Sequence, residues 1–174
     1  MIEVLVTIVI ITFGLLGLAG LQSRLQVSEM EAYQRSQALL LLNDMAQRIT
    51  SNRATAASYV TASALGAGMT CPTAESNTLE RDLKDWCESL QGAAEANGGA
   101  SVGAMIGGRG CVEAMGTNEY LVTVAWQGLI PISAPAVTCG QNAYNGAAGS
   151  PCSGDLCRRV VTTVVRIGNL SSLP

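Results

Sequence analysis

The sequence predicts an α+β protein in which one long N-terminal helix, apolar first and amphipathic afterwards, packs on an antiparallel β-sheet that carries a cysteine-pinned loop near its C-terminus. Three observations carry this. The run Met1 to Leu21, MIEVLVTIVIITFGLLGLAGL, holds a single charge, Glu3. No proline occurs before Pro72, so nothing forces a break between that run and the polar residues after it. All six cysteines lie beyond residue 70, the region that also holds the Val- and Thr-rich runs expected of strands.

As a helix, Met1 to Leu21 would extend about 31 Å, enough for the hydrocarbon core of a bilayer. A basic n-region, a shorter apolar core and a small-residue cleavage site would mark a cleaved secretory signal, and the run shows none of them. One continuous helix to roughly Tyr59 follows. From Arg24 to Arg53 it turns amphipathic: Leu25, Ala32, Leu39, Leu42, Met45, Ala46 and Ile49 share a stripe, with Arg35, Gln47 and Arg48 facing away. The expected division is therefore residues 1–23 as a membrane helix and 24–174 as an exported domain that keeps the amphipathic half.

Gly14, Gly17 and Gly20 recur at three-residue spacing inside this helix, each costing about 1 kcal/mol against alanine in propensity. Two readings stay open: close contact between neighbouring helices in lipid, or a weak point at which the helix bends or melts. Glu3 also has two readings. A carboxylate is expensive in an apolar span, although less so toward its end. It either sits at the headgroup boundary and favours the positive helix terminus, or it is compensated by a charge from elsewhere.

Beyond the long helix, Asn77 followed by Glu80 is a capping-box pattern, and Leu79, Leu83, Trp86 and Leu90 recur at helical spacing. A short second helix with a core-facing stripe is expected there, with Asp82, Asp85 and Glu88 on its solvated face. Gly107 and Gly108 suggest a turn between strands near 102–106 and 111–114. Tyr120 to Gln127 alternates Tyr, Val, Val and Trp with Leu, Thr, Ala and Gln, and Arg158 to Ile167 is rich in Val and Thr, so both are expected strands. Between them, Gly128 to Cys157 is too long for a hairpin connection and rich in Pro, Gly, Asn and Cys. Cys139 is expected to pair with Cys152 or Cys157. The last residues, NLSSLP, show no element and are expected to fray.

Composition narrows the function. A net charge of −3 supplies no basic field for nucleic acid. The chain has no histidine, the commonest general base and the commonest nitrogen ligand for metals. No GxSxG elbow, paired-carboxylate motif or phosphate-cradling loop occurs, so the sequence points to no catalytic residue, no metal and no cofactor. Cys71, Cys87, Cys111, Cys139, Cys152 and Cys157 form an even set that fits disulfides in an oxidising compartment. Six buried free thiols are the alternative, and a zinc site lacks the CxxC pair it would need.

The N-terminal run closely resembles the class III signal of type IV pilins, in which a basic leader ends in Gly and the mature chain begins Phe-Thr-Leu/Met-Ile-Glu. Glu3 matches the family glutamate, which the resemblance implies neutralises the N-terminal amine of an adjacent subunit. The leader, its glycine and the first two mature residues do not stand before Met1, and cleavage by the prepilin peptidase and N-methylation would require them. Further along, LLGLAGLQ (Leu15 to Gln22), YQRSQALLLLNDMAQRITSNRATAASY (Tyr33 to Tyr59), DLKDW (Asp82 to Trp86), YLVTVAWQG (Tyr120 to Gly128), Cys139-Gly140 and CRRVVTTVV (Cys157 to Val165) resemble the PilV type of minor pilin. That resemblance implies the type IV pilin fold and a structural, non-enzymatic subunit. It would be held as a single-pass protein of the bacterial inner membrane with its domain in the periplasm, then assembled into the pilus. The implied partners are other minor pilins, the major pilin and a tip adhesin, in service of pilus assembly, adhesion and twitching motility. A type II secretion pseudopilin and a membrane-anchored exported binding module are the competing readings.

Overall fold

The computed structural model describes residues 2–93, 96–97, 100–101 and 105–168. Helix α1 runs without interruption over Ile2–Ser51. By packing the chain divides into two units, residues 1–33 and 34–174. In the first, every described side chain of α1 is exposed or only partly covered. The second is an α+β domain, with the α1 residues from Gln34 onward laid on a four-stranded antiparallel sheet of order β1-β4-β5-β6.

The face of α1 that is buried is Gln34, Ala38, Leu42, Met45 and Ile49, the four- and three-residue steps of a helical stripe. This corrects part of the expected stripe: Leu25, Ala32 and Leu39 are exposed and Ala46 is half-buried. Leu25 and Ala32 belong to the first unit, which has no sheet of its own to cover them, and Leu39 lies off the line from Ala38 to Leu42. Arg48 does not point into solvent either, because acidic side chains hold it (below).

α1 also stops earlier than Tyr59. Asn52 leaves helical geometry (φ −104°, ψ 43°), and its side chain and backbone N–H both donate to the Arg48 carbonyl, the competition with helix continuation that Asn side chains offer. A 3₁₀ segment, Arg53–Tyr59, follows and bends at Thr55. β1 (Leu65–Gly66) is a short edge strand against β4.

Helix α2 (Thr78–Leu90) begins as the capping pattern predicts: Asn77 Oδ1 accepts from the Glu80 N–H at 2.9 Å. The reciprocal bond differs, since the Glu80 carboxylate accepts from the Ser76 N–H rather than from Asn77. Trp86 and Leu90 are buried and Leu79 and Leu83 partly so, all in one core with α1 and the sheet. Trp86 donates Nε1–H to the Leu41 carbonyl at 2.9 Å, which fixes its ring. Gly110 lies beneath that ring, where an added Cβ would stand 2.2 Å from Trp86 Cη2. Only glycine permits this approach of strand and helix.

β2 (Ala96–Asn97) and β3 (Ala100–Ser101) pair with each other. The expected strand near 102–106 lies in part outside the described residues, and its described end, Met105 and Ile106, is not a strand. The expected strand at 111–114 is real but belongs to β4 (Arg109–Gly116), whose hairpin partner is β5 (Glu119–Gln127). Their register shifts between Ala114 and Gly116, and Asn118 in the turn has φ +58°, a conformation asparagine tolerates. β6 (Arg158–Arg166) pairs with β5 along its whole length. Residues 169–174, expected to fray, lie outside the described residues.

β5 is covered on both faces. Tyr120, Val122, Val124 and Trp126 enter the helix-facing core, while Ala125 packs with Cys111, Cys139 and Tyr144 in a second cluster on the opposite face. The segment from Gly128 to Cys157 forms that second layer.

Candidate functional site

Two surfaces stand out, one in each unit. The first is the apolar start of α1, whose best 18-residue window has mean hydropathy 2.6 with none of it buried. Ile2, Ile10, Phe13 and Leu16 are each more than half exposed, Phe13 at 71%. By length and composition this helix can cross a membrane. Its polar hydroxyls are internally satisfied: Thr7 donates to the Val4 carbonyl at 2.8 Å and Thr12 to the Ile8 carbonyl at 2.7 Å. No unpaired hydroxyl donor at these positions would therefore oppose transfer into lipid. Glu3 sits in the first turn, the favourable end of the helix dipole for an anion. At Gly14, Gly17 and Gly20 an added Cβ would meet nothing within 4 Å, so nothing within this chain requires glycine there.

Solubility should follow this division. Removing residues 1–23 is expected to give a soluble domain that retains the full buried stripe from Gln34 to Ile49. Size-exclusion chromatography and circular dichroism under oxidising conditions check it, and an aggregated or unfolded product would refute it.

The second surface is the C-terminal loop, held by two disulfides and two arginines. Cys111 on β4 bonds to Cys139 (Cα–Cα 5.8 Å), and Cys152 bonds to Cys157 (Cα–Cα 5.0 Å). The third bridge, Cys71–Cys87, ties the segment before α2 to the helix, and no described cysteine is free. The expected pairing of Cys139 with Cys152 or Cys157 is thus corrected. Cys139 lies flat on the outer sheet face, where Cys111 is the cysteine that β4 presents, whereas Cys152 and Cys157 are close enough in sequence to close their own small ring.

Arg158, the residue after Cys157, is 1% exposed. Its Nη1 donates to the carbonyls of Val137 (2.6 Å) and Cys139 (3.0 Å), and its Nη2 donates to Pro135 (3.1 Å) and meets Asp155 Oδ2 at 3.3 Å. Asp155 also accepts from the Asn142 N–H (2.8 Å), while the Asp155 N–H donates to Asn145 Oδ1 (2.8 Å). The next residue, Arg159, faces the other way along the loop and donates to the carbonyls of Ile130 and Leu156. The loop backbone is therefore wrapped around two consecutive guanidinium groups, each of which offers a fork of donors. Tyr144 completes the layer, with its hydroxyl donating to Gly107 O (2.8 Å) and the Arg109 guanidinium 4.9 Å from its ring centre. Burial raises the Tyr144 phenol above its usual range, against the neighbouring arginines.

Breaking the Cys111–Cys139 bridge by replacing both residues with Ser is expected to cost about 3 kcal/mol. The loop should become susceptible to limited proteolysis while the α1–β5 core stays folded. A denaturant midpoint unchanged from the parent would contradict this.

A third cluster lies at the junction of α1, the 3₁₀ segment and α2. Asp82 accepts from Tyr59 Oη (2.5 Å), Arg48 Nη1 (2.7 Å) and Asn52 Nδ2 (3.3 Å), and Arg48 also bonds Asp44 (2.9 Å) and lies 3.6 Å from Asp85. The expected solvated acidic face is therefore corrected at Asp82, which is buried. Asp85 is exposed and Glu88 intermediate. Arg48 is raised above its ordinary value by its bonds to Asp44 and Asp82, against the opposing effect of burial.

Both polar anchors left a trace in the sequence. Asp82 falls on the same helical face as Leu79 and Trp86, an acid within an apolar stripe. Arg158 and Arg159 follow a loop cysteine directly at the start of a strand. Among the described residues no three His, Cys, Asp or Glu side chains converge as metal ligands. No family model, curated protein or solved structure matches this chain.

Proposed function

We propose that this chain is a minor pilin of the PilV type, a structural subunit that is held in the inner membrane and then assembled into a type IV pilus at or near its tip. The observation that carries the reading is α1 itself. An exposed apolar helix with one acid, Glu3, in its first turn continues, without a break, into a half that a disulfide-bonded α+β domain covers. In this reading the apolar half is bilayer-held before assembly and helix-packed afterwards, so that one surface serves two environments of similar polarity. Gly14, Gly17 and Gly20, free of contacts within the chain, then meet neighbouring pilin helices. The disulfides suit a domain exposed outside the cytoplasm, and the arginine-wrapped loop supplies a rigid surface toward other minor pilins, the major pilin or a tip adhesin.

The test is recovery in filaments. An epitope-tagged gene that includes the upstream leader is expressed in a piliated bacterium, and sheared pili are immunoblotted against the membrane fraction. The tagged chain is expected in the sheared fraction at far lower abundance than the major pilin, and only when the prepilin peptidase is present. Retention in the membrane with or without the peptidase would overturn the reading, and dependence on the type II secretion machinery instead of the pilus would replace it with a pseudopilin.

A further inference from the structure

A cleft of about 370 Å³ opens where the end of α1, the 3₁₀ segment and the start of α2 meet, and Asn52, Thr55, Ser58, Asn77, Thr78 and Leu79 line it. Its volume lies in the range of small-molecule sites, about 300–1,000 Å³. Such sites are usually mostly apolar, with a few polar groups that orient the ligand. Here every lining side chain except Leu79 ends in a hydroxyl or an amide, and none is charged. The cleft therefore suits a neutral ligand that is itself rich in hydrogen-bonding groups.

The two amides are fixed in opposite senses. Asn52 Nδ2 donates to the Arg48 carbonyl at 3.1 Å and to Asp82 Oδ2 at 3.3 Å, which uses both of its hydrogens and leaves Oδ1 as the acceptor still to be filled. Asn77 is the reverse: its Oδ1 accepts from the Glu80 N–H at 2.9 Å, which leaves the Nδ2 hydrogens to donate elsewhere. Thr55 Oγ1 donates to the Asn52 carbonyl at 3.3 Å and keeps its lone pairs, while the Ser58 and Thr78 hydroxyls turn to suit a ligand. A fixed acceptor, a fixed donor and adaptable hydroxyls thus share one concavity. The walls are also held in advance. Asp82 on α2 accepts from Tyr59 and Arg48, which joins the 3₁₀ segment and α1 to α2, and the Cys71–Cys87 bridge fixes the approach to α2. Such preorganisation reduces the ordering cost of binding.

The geometry points to a carbohydrate site, in which adjacent hydroxyls of one pyranose ring bridge Asn52 Oδ1, the Ser58 hydroxyl and the Asn77 amide while a C–H face of the ring rests on Leu79. Each hydroxyl of a vicinal diol both donates and accepts, which is the pairing that a fixed acceptor beside a fixed donor requires. A charged ligand would find no counter-ion on the lining, and an apolar one would cover the polar side chains without bonding them. The helix terminus is not the attraction. Asn77 already accepts from the N–H groups of Glu80 and Arg81, and the Glu80 carboxylate stands at the Ser76 N–H, which disfavours an anion there. The inference stands on this cleft and does not depend on the pilin reading.

The experiment titrates the isotope-labelled full chain, in dodecylphosphocholine micelles that carry no sugar headgroup, and follows the amide resonances of Asn52, Ser58, Asn77 and Thr78. The probes are the methyl glycosides of glucose, galactose and mannose. Tetrahydropyran-2-methanol, which has the ring with a single hydroxyl, and inorganic phosphate are the controls. At least one glycoside should give saturable shifts at these residues and bind at least about tenfold more tightly than either control. Asn77→Asp keeps the oxygen that caps α2 and removes the Nδ2 donor, so it should weaken binding at least about tenfold while the rest of α2 keeps its resonances. Should that variant disturb the helix, Ser58→Ala, at an exposed hydroxyl, makes the same test. A tetrasaccharide of the bound sugar separates the two sources: tighter binding assigns the site to a glycan chain and equal affinity to a free sugar, and both fit the proposal. Absence of saturable shifts with all three glycosides, equal binding by phosphate or by tetrahydropyran-2-methanol, or parent-like affinity in a folded variant would each overturn it.

Discussion

Asp82→Ala is expected to destabilise the domain by about 2–3 kcal/mol, the scale of leaving a buried hydroxyl without its acceptor. Three donors lose their acceptor at once: the Tyr59 hydroxyl, the Arg48 guanidinium and the Asn52 amide. Tyr59 is fully buried and cannot turn to water, whereas Arg48 keeps Asp44 and the outlying Asp85. The loss therefore falls chiefly on the phenol. Asp85→Ala, on the same helix but exposed, should shift stability by less than about 1 kcal/mol. Equal denaturant midpoints for the two variants would reject a structural role for the network.

The same cluster gives a pH signature. Burial first, then the hydrogen bond to Asp82 and its charge, raises the Tyr59 phenol well above its ordinary range. A group whose folded value is raised contributes stability that is complete below its unfolded value, near ~10 for tyrosine, and is lost as the pH climbs through the folded value. Wild-type stability should accordingly decline above about pH 10, and Tyr59→Phe should flatten part of that decline while lowering the plateau. In Asp82→Ala burial still raises the phenol, but the two contributions of the carboxylate vanish, so a spectrophotometric titration should find Tyr59 ionising earlier than in the parent.

Periodicity made the elements legible, and it failed where polar side chains decide the packing. The Asn77 cap, α2, β5 and β6 follow from local pattern, because each has an alternation or a stripe that matches one covered face. The end of α1 does not. The chain reads as one continuous helix to roughly Tyr59, amphipathic from Arg24 to Arg53, until Asn52 turns back on the Arg48 carbonyl, a side-chain choice that no hydropathy pattern registers. Asp82 was misread for the same reason, since its charge placed it on the wet face while its spacing from Trp86 placed it in the core. The cysteine count indicated bridges, yet pairing depends on which strand lies under the loop, a long-range fact. Arg158 is the clearest case, because a guanidinium reads as surface until three loop carbonyls and the Asp155 carboxylate are seen to converge around it.

In a gene carrying the upstream leader, Glu3→Ala is expected to leave expression, membrane insertion and the folded domain unchanged while lowering incorporation into sheared pili at least about tenfold. This rests on the proposed pilin assembly. In the bilayer Glu3 lies in the first turn of α1, near the water boundary and at the positive end of the helix dipole, so the carboxylate is inexpensive there. Inside a filament of packed apolar helices the same group would be removed from water, and it needs a cation to offset about several kcal/mol of desolvation. The resemblance implies the N-terminal amine of an adjacent pilin, which exists only after the leader is removed. Glu3→Gln separates charge from shape: it keeps the side-chain volume, loses the ion pair and should fail as Glu3→Ala does. Glu3→Asp keeps the charge on a shorter arm and should recover part of the incorporation. The first turn of α1 does not account for such a pattern through packing, since Glu3 and its described neighbours there are exposed. The measurement is the ratio of immunoblot signal in sheared pili to that in the membrane pool. Wild-type ratios for both the Ala and Gln variants would reduce Glu3 to a boundary residue and remove the assembly role proposed for it.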